Sequence, residues 1–187
     1  MKINNAITLA STFLGKEYVA EYVQSGCFET EDGSDAKDCA ETMLKCANTV
    51  VNELALTYFP MNKTEKATAS DCKFYYAGLS EKAIEIKSVK DSEGNDVAYK
   101  INAEYVSCER NEIYIEYCYV PKEYSYNDEA GFSAKVPVRL IAYGIASEYC
   151  LIMRRFSESV MWRNRFKNCI AELLKPKNVV ARKRSWV

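Results

Sequence analysis

The sequence predicts an α+β protein, mainly an α-helical bundle with a small antiparallel β-sheet inserted at about residues 72–120. Three observations predict it. Apolar residues recur at three- and four-residue steps from Ala36 to Tyr58. From Lys73 to Val120 that period gives way to short runs rich in β-branched and aromatic residues. From Val136 the helical period returns and holds to Leu174. At 187 residues, 48% of them hydrophobic and 27% charged, the chain has the size of one domain with its own core. The expected organisation is a single helical domain over 1–175 carrying the β insertion at 72–120, followed by an extended basic tail at 176–187.

The elements follow in order. Ile7, Leu9, Ala10, Phe13 and Leu14 are near helical spacing over Asn4–Phe13, and Gly15 is a natural stop. A short second helix is expected over Glu17–Val23, then an acidic, polar loop from Ser25 to Asp35 with Gly26 and Gly33. Ser34 or Asp35 can cap a long helix running to about Phe59. Its inward stripe is Ala36, Cys39, Ala40, Met43, Cys46, Ala47, Val50, Leu54 and Tyr58, and Pro60 closes it.

Between Cys72 and Val120 the pattern predicts a meander of three or four strands. Lys73–Tyr76 and Ala83–Val89 come first, and the second ends at the turn Asp91–Asp96. Val97–Ile101 and Ala103–Val106 follow. Ile113–Val120 is the strongest strand of the chain, ended by Pro121. After a polar loop from Lys122 to Lys135, Leu140, Ile141, Tyr143, Cys150, Leu151 and Met153 mark one helix from Val136. Small residues such as Ala142, Gly144, Ala146 and Ser147 allow close helix approach. A break near Arg154-Arg155 leads to a last helix over about Ser157–Leu174, with Val160, Met161, Phe166, Cys169 and Ile170 among its apolar positions. Two antiparallel helices joined by a short turn are the natural packing.

The sequence supplies little material for enzyme chemistry. It contains no histidine, so histidine bases, triads and mixed Cys/His zinc patterns are excluded. No GxGxxG, GxxxxGK[ST] or GxSxG occurs. Glu104 and Glu116 can be paired across strands on paper, but charges on a solvent face explain them better. The eight cysteines form no CxxC pair and fall largely in apolar patterns, as small hydrophobes of a reduced chain do. Cys150 reads as buried and inert. Neither a catalytic residue nor a cofactor or metal site is expected. Fourteen tyrosines are the compositional oddity, and Tyr75, Tyr76, Tyr99, Tyr105, Tyr114, Tyr117, Tyr119, Tyr124 and Tyr126 gather on and after the strands. Core packing and an exposed assembly face both account for them.

Charge is uneven although the net is −1. Residues 1–60 carry nine acids (Glu17, Glu21, Glu29, Glu31, Asp32, Asp35, Asp38, Glu41, Glu53) against four bases (Lys2, Lys16, Lys37, Lys45). The end of the chain carries Lys175, Lys177, Arg182, Lys183 and Arg184 with no acid, and closes on Ser185-Trp186-Val187. Two solvated surfaces explain this, and so do different partners at the two ends. Lys175, Lys177, Arg182, Lys183, Arg184, Trp186 and Val187 are the candidate partner-binding residues, because an aromatic anchor in a basic tail suits a neighbour's groove. Arg154, Arg155, Arg163 and Arg165 form a second candidate cationic surface, facing phosphates or the acids of another copy. No signal-peptide core or membrane-length apolar run is visible, so cytoplasmic synthesis and no membrane partner are expected.

Several phrases together carry a resemblance. They are Val138–Cys150, Arg155-Phe156-Ser157-Glu158, Met161-Trp162, Lys175-Pro176-Lys177 with the Arg-rich end, Asn52–Ala55 with Tyr58-Phe59-Pro60, and Tyr117–Lys122. In order and kind they resemble the head-to-tail connector (adaptor) proteins of tailed bacteriophages and prophages. The resemblance spans nearly the whole chain and rests on the set rather than on any single chemical signature. It implies a structural virion protein with no enzymatic activity and no cofactor. Such a protein forms an oligomeric ring, dodecameric by the resemblance, beneath the portal protein in the neck. Implied partners are the portal, the next neck or tail protein and, in the lumen, packaged DNA. Another neck or tail-completion (stopper) protein, and more distantly a small DNA-binding regulatory module, are the alternatives.

Overall fold

The computed structural model describes residues 1–26, 35–68, 72–132 and 135–175. The chain is α+β, with five α-helices and two three-stranded antiparallel sheets among those residues. It divides into two compact units. One comprises Met1–Ile3 and Asn48–Phe132, the other Asn4–Ala47 and Ser133–Val187.

The second unit is helical. Helix α1 (Ile3–Phe13) turns Ala6, Ile7 and Ala10 inward, and α2 (Glu17–Ser25) does the same with Val19, Ala20 and Val23. Helix α3 (Asp35–Glu53) starts with Asp35 and Asp38 in its first turn, where negative charge suits the N-terminal dipole. It buries Ala40, Met43, Cys46 and Ala47 in this unit. Helices α4 (Val138–Ile152) and α5 (Phe156–Leu174) form a hairpin. Its small-residue face is used as the sequence predicts, since Ala142, Ala146 and Ser147 are buried and the Ser147 hydroxyl donates to the Ser159 carbonyl at 3.1 Å. Phe13 stacks on Tyr143 and on Trp162, with ring centroids 5.3 Å apart in both pairs, and Tyr143 lies 5.9 Å from Trp162. This three-ring stack ties α1 to both arms of the hairpin.

The first unit holds the strands β1 (Asn62–Thr68), β2 (Lys73–Tyr75), β3 (Ala83–Lys90), β4 (Tyr99–Ile101), β5 (Tyr105–Cys108) and β6 (Glu112–Tyr119). One sheet has the order β1-β6-β3, the other β2-β5-β4. The meander expected from the sequence is thus two separate sheets, and strand structure begins at Asn62, before residue 72. The strongest strand, β6, takes the central place in its sheet and inserts Ile113, Ile115 and Tyr117 into the core on alternate positions. Phe74 and Val106 of the smaller sheet pack into the same cluster, with Ile86 and Val89 of β3. Strand β3 carries two bulges, which leave Ile84 and Lys87 without an opposite residue on β6.

The long helix ends as expected at its C-terminal side, near Phe59, but its last turn (Leu54–Tyr58) is π-helical, with the Phe59 N–H reaching the Leu54 carbonyl at 2.7 Å. Two clamps complete this unit. The Asn48 side chain donates to the Tyr124 carbonyl at 3.0 Å and accepts from the Tyr124 N–H at 2.7 Å. The chain start is laced to Asp128–Ala130 by the Ala130 N–H on the Met1 carbonyl, 2.8 Å, and the Ile3 N–H on the Asp128 carbonyl, 3.0 Å.

Candidate interaction surface

The most unusual surface lies at the α4–α5 turn. Phe156 and Val160 are 61% and 60% exposed, and Leu151, Ile152, Met153 and Met161 are exposed alongside them. Leu151, Met153, Val160 and Met161 belong to the apolar stripes of the sequence reading, yet they are not core. Val160 and Met161 lie off the buried face of α5, which runs through Ser159, Trp162, Phe166, Cys169 and Ile170. Leu151, Ile152 and Met153 fall at the exposed end of α4. Six half-exposed apolar side chains thus fall within eleven residues of sequence around one turn. Exposed apolar side chains that gather in this way are often functional.

The turn itself is held in a strained form. The Arg155 N–H bonds the Cys150 carbonyl at 2.8 Å and the Arg154 N–H bonds the Leu151 carbonyl at 3.0 Å. This is a Schellman closure, which places the intervening residue in the left-handed region, and Arg154 sits there at φ 58. Helix α1 closes by the same pair of bonds, Lys16 N–H to Ser11 carbonyl at 2.9 Å and Gly15 N–H to Thr12 carbonyl at 3.1 Å, with glycine at φ 67. Side-chain-bearing residues lose about 1–2 kcal/mol in this conformation. Arg154→Gly is therefore expected to raise stability by about 1 kcal/mol, read as a higher urea midpoint with an unchanged slope. An unchanged midpoint would mean that Arg154 makes a compensating contact.

Two of the four arginines of the predicted cationic surface meet a carboxylate within their own unit. Arg155 forms a two-pronged pair with Glu158, its Nε donating to Oε1 at 2.7 Å. Arg163 approaches Glu148 at 3.7 Å and lies over the Phe166 ring at 5.1 Å. Arg165 lies over the Trp162 ring at 4.8 Å. Arg154 is exposed on the turn. Of the predicted tail residues, Lys175 is exposed just after the end of α5. Lys177, Arg182, Lys183, Arg184, Trp186 and Val187 lie outside the described residues, as does most of the acidic stretch from Glu29 to Asp38. The tyrosines divide. Tyr117 is fully buried, whereas Tyr75, Tyr99 and Tyr114 are exposed.

Glu104 and Glu116 are not opposite one another, because Glu116 on β6 faces Thr64 and Ser88 while Glu104 precedes β5 in the other sheet. The carboxylate that does gather partners is Glu65, which composition gave no reason to single out. It accepts from the Ser80 N–H at 3.0 Å, from the Tyr117 hydroxyl at 3.0 Å, from the Ser80 hydroxyl, and from the Lys63 ammonium at 2.9 Å. Burial pushes its carboxyl upward, but the Ser80, Lys63 and Tyr117 bonds outweigh that and hold it down at about 2. The bonds knot β1 and β6 to the turn before β3.

Among the described residues every cysteine is free, and no group of three His, Cys, Asp or Glu side chains is placed to hold a metal. Cys150 is buried, and burial raises its thiol. Cys46 is pushed up to about 12 by burial and by Glu148. Cys39, placed on the same helix face as Cys46, is only partly buried and meets the Tyr149 hydroxyl at 3.3 Å and the Lys16 ammonium at 3.8 Å. No described helix is long and apolar enough to cross a membrane. Compared with known proteins, the chain matches no family model and no curated protein in sequence.

Proposed function

We propose that this chain is a non-enzymatic structural subunit of a tailed-phage neck. In this reading it is a head-to-tail connector that assembles as a ring beneath the portal and joins it to the tail. The observation that carries the proposal is the apolar turn of the α4–α5 hairpin. It lies inside the stretch whose phrases, Val138–Cys150 with Arg155–Glu158 and Met161-Trp162, bear the resemblance to connector proteins. Exposing Phe156 and Val160 to water costs free energy that a partner surface recovers on binding. A strained arginine kept at the same turn, where glycine is easier, is what a surface shaped for contact rather than for stability would show.

The test is the mass of the protein alone and mixed with its portal, by native mass spectrometry or light scattering. A ring, or a monomer that becomes a ring only on the portal, is expected. The double variant Phe156→Asp with Val160→Asp should keep the unfolding midpoint, since both side chains are exposed, and should lose ring formation on the portal. A wild-type chain that stays monomeric and ignores the portal overturns the connector reading. Wild-type assembly by the double variant removes the hairpin turn from it.

A further inference from the structure

A groove of about 740 Å³ lies wholly within the sheet-bearing unit, lined by Leu79, Ser80, Ile84, Ile86, Ile101 and Asn102 among others. That is the size range of a ligand or peptide site. It is walled by β3 from Ala83 to Ile86 but by no residue of β6, so it follows the outer edge of β3. On that side, the backbone bonds to β3 begin only at Val89, whose carbonyl accepts from the Val97 N–H at 2.9 Å. Over Ala83–Ile86 the edge has no strand partner among the described residues.

Open edges invite strand addition unless charge or irregularity guards them. Strand β1, the opposite edge of the same sheet, is guarded by Lys63, Glu65 and Lys66. The far half of β3 is guarded by Lys87 and Lys90. Ala83–Ile86 carries one charge, Glu85, already held by Lys87 at 2.6 Å, and one bulge, at Ile84. The Ile84 bulge turns an isoleucine outward to 48% exposure, and Ile101 across the groove is 57% exposed. The site therefore offers an unpaired backbone edge beside an apolar floor, the two requirements of β-strand addition.

We propose that this groove receives residues 176–187 of a neighbouring copy, whose sequence is Pro-Lys-Asn-Val-Val-Ala-Arg-Lys-Arg-Ser-Trp-Val. Val179 and Val180 supply β-branched residues for pairing, and Trp186 supplies an anchor of the kind that fills an apolar pocket. Lys177, Arg182, Lys183 and Arg184 are matched to two carboxylates on the rim, Glu81 and Glu85. Their present partners, Lys122 at 3.3 Å and Lys87 at 2.6 Å, are solvent-facing lysines that an incoming arginine can replace. Twelve residues span at most about 40 Å. A tail-to-groove contact passed from copy to copy is heterologous and can close into a ring. The inference rests on the ring reading above in requiring neighbours.

The test places the photo-crosslinking residue p-benzoylphenylalanine at position 186 of the full chain. An equal mixture of unlabelled and nitrogen-15-labelled copies is irradiated, alone and on the portal, and the crosslinked peptides are mapped. Crosslinks to residues 76–103 in mixed-isotope pairs are expected. Ile84→Asp with Ile101→Asp should lower their yield at least tenfold without moving the unfolding midpoint. Crosslinks confined to single chains, crosslinks to another surface, no crosslinks, or a yield indifferent to the two aspartates would each overturn the proposal. A portal-bound ring that persists alongside any of these leaves the connector reading standing. Absence of a ring on the portal removes that reading whatever the crosslinks show.

Discussion

Trp162→Ala should cost about 3–5 kcal/mol, the largest single-site loss expected in the helical unit. Trp162 is 7% exposed and packs on Ala146 and Cys150 of α4. Its ring stacks on Phe13 and Tyr143, and the Arg165 guanidinium lies 4.8 Å from its centroid. Truncation removes the transfer free energy of the indole and opens a cavity that a helical framework closes only in part. It also removes two aromatic contacts worth about 0.5–1.5 kcal/mol each beyond their area. Trp162→Phe keeps a ring in the stack and should recover more than half of the loss. Urea unfolding followed by far-ultraviolet circular dichroism checks both, and the slope reports whether the variants remain two-state. A loss below about 1 kcal/mol for the alanine variant would show that the stack contributes little to the folded state.

The same residues show what the sequence could convey. Around Trp162, the residues Phe166, Cys169 and Ile170 recur at helical steps, and so do Ala40, Met43, Cys46 and Ala47, because a helix burying one face must repeat its apolar residues. Those helices were legible for that reason. Strand β6 was legible too, since Ile113, Ile115 and Tyr117 alternate with outward side chains. Of its two neighbours, β3 was legible as Ala83–Val89, but β1 was not. Strand β1 reads Asn-Lys-Thr-Glu-Lys-Ala-Thr, with no fully buried residue, and it is a strand because seven backbone positions pair with β6. Such pairing is a property of the partner, not of local composition. Sheet order was hidden for the same reason, and two sheets sharing one apolar cluster look like one meander when read in sequence. The hairpin turn was half legible. The break at Arg154-Arg155 is visible, but periodicity alone does not show which of two adjacent apolar positions, such as Met161 and Trp162, faces the partner helix. The tail's chemistry was legible, whereas the groove needed the bulge at Ile84 and the open edge of β3, neither of which has a sequence signature.

Glu65 gives the second large effect, and it depends on pH. Glu65→Ala should destabilise the sheet-bearing unit by about 2–4 kcal/mol, because the Ser80 N–H, the Ser80 hydroxyl and the Tyr117 hydroxyl lose their acceptor together. Tyr117 is fully buried, so water replaces that bond poorly. Glu65→Gln removes the charge while keeping the shape, and it isolates the ionic part. In the folded chain the carboxyl is held at about 2, below its ordinary 4.5. A depressed carboxyl stabilises wherever it is ionised in the folded state and would be ionised when unfolded, hence fully above about pH 4.5. The contribution is lost as pH falls from there toward 2. At full strength the shift corresponds to about 3 kcal/mol, and with solvent screening at a side chain that is 19% exposed it should measure about 1–2 kcal/mol. The stability gap between the wild-type chain and Glu65→Gln should therefore be flat from pH 7 to pH 5 and narrow steadily at pH 4 and pH 3. Asp91 is also held low, by hydrogen bonds from Asn95, but it is common to both chains and drops out of the difference. A gap that stays constant down to pH 3 would mean that the Ser80 and Tyr117 bonds serve a neutral acceptor equally well. Glu65 would then be a structural hydrogen-bond acceptor whose charge contributes nothing to holding β1, β6 and the groove-side turn together.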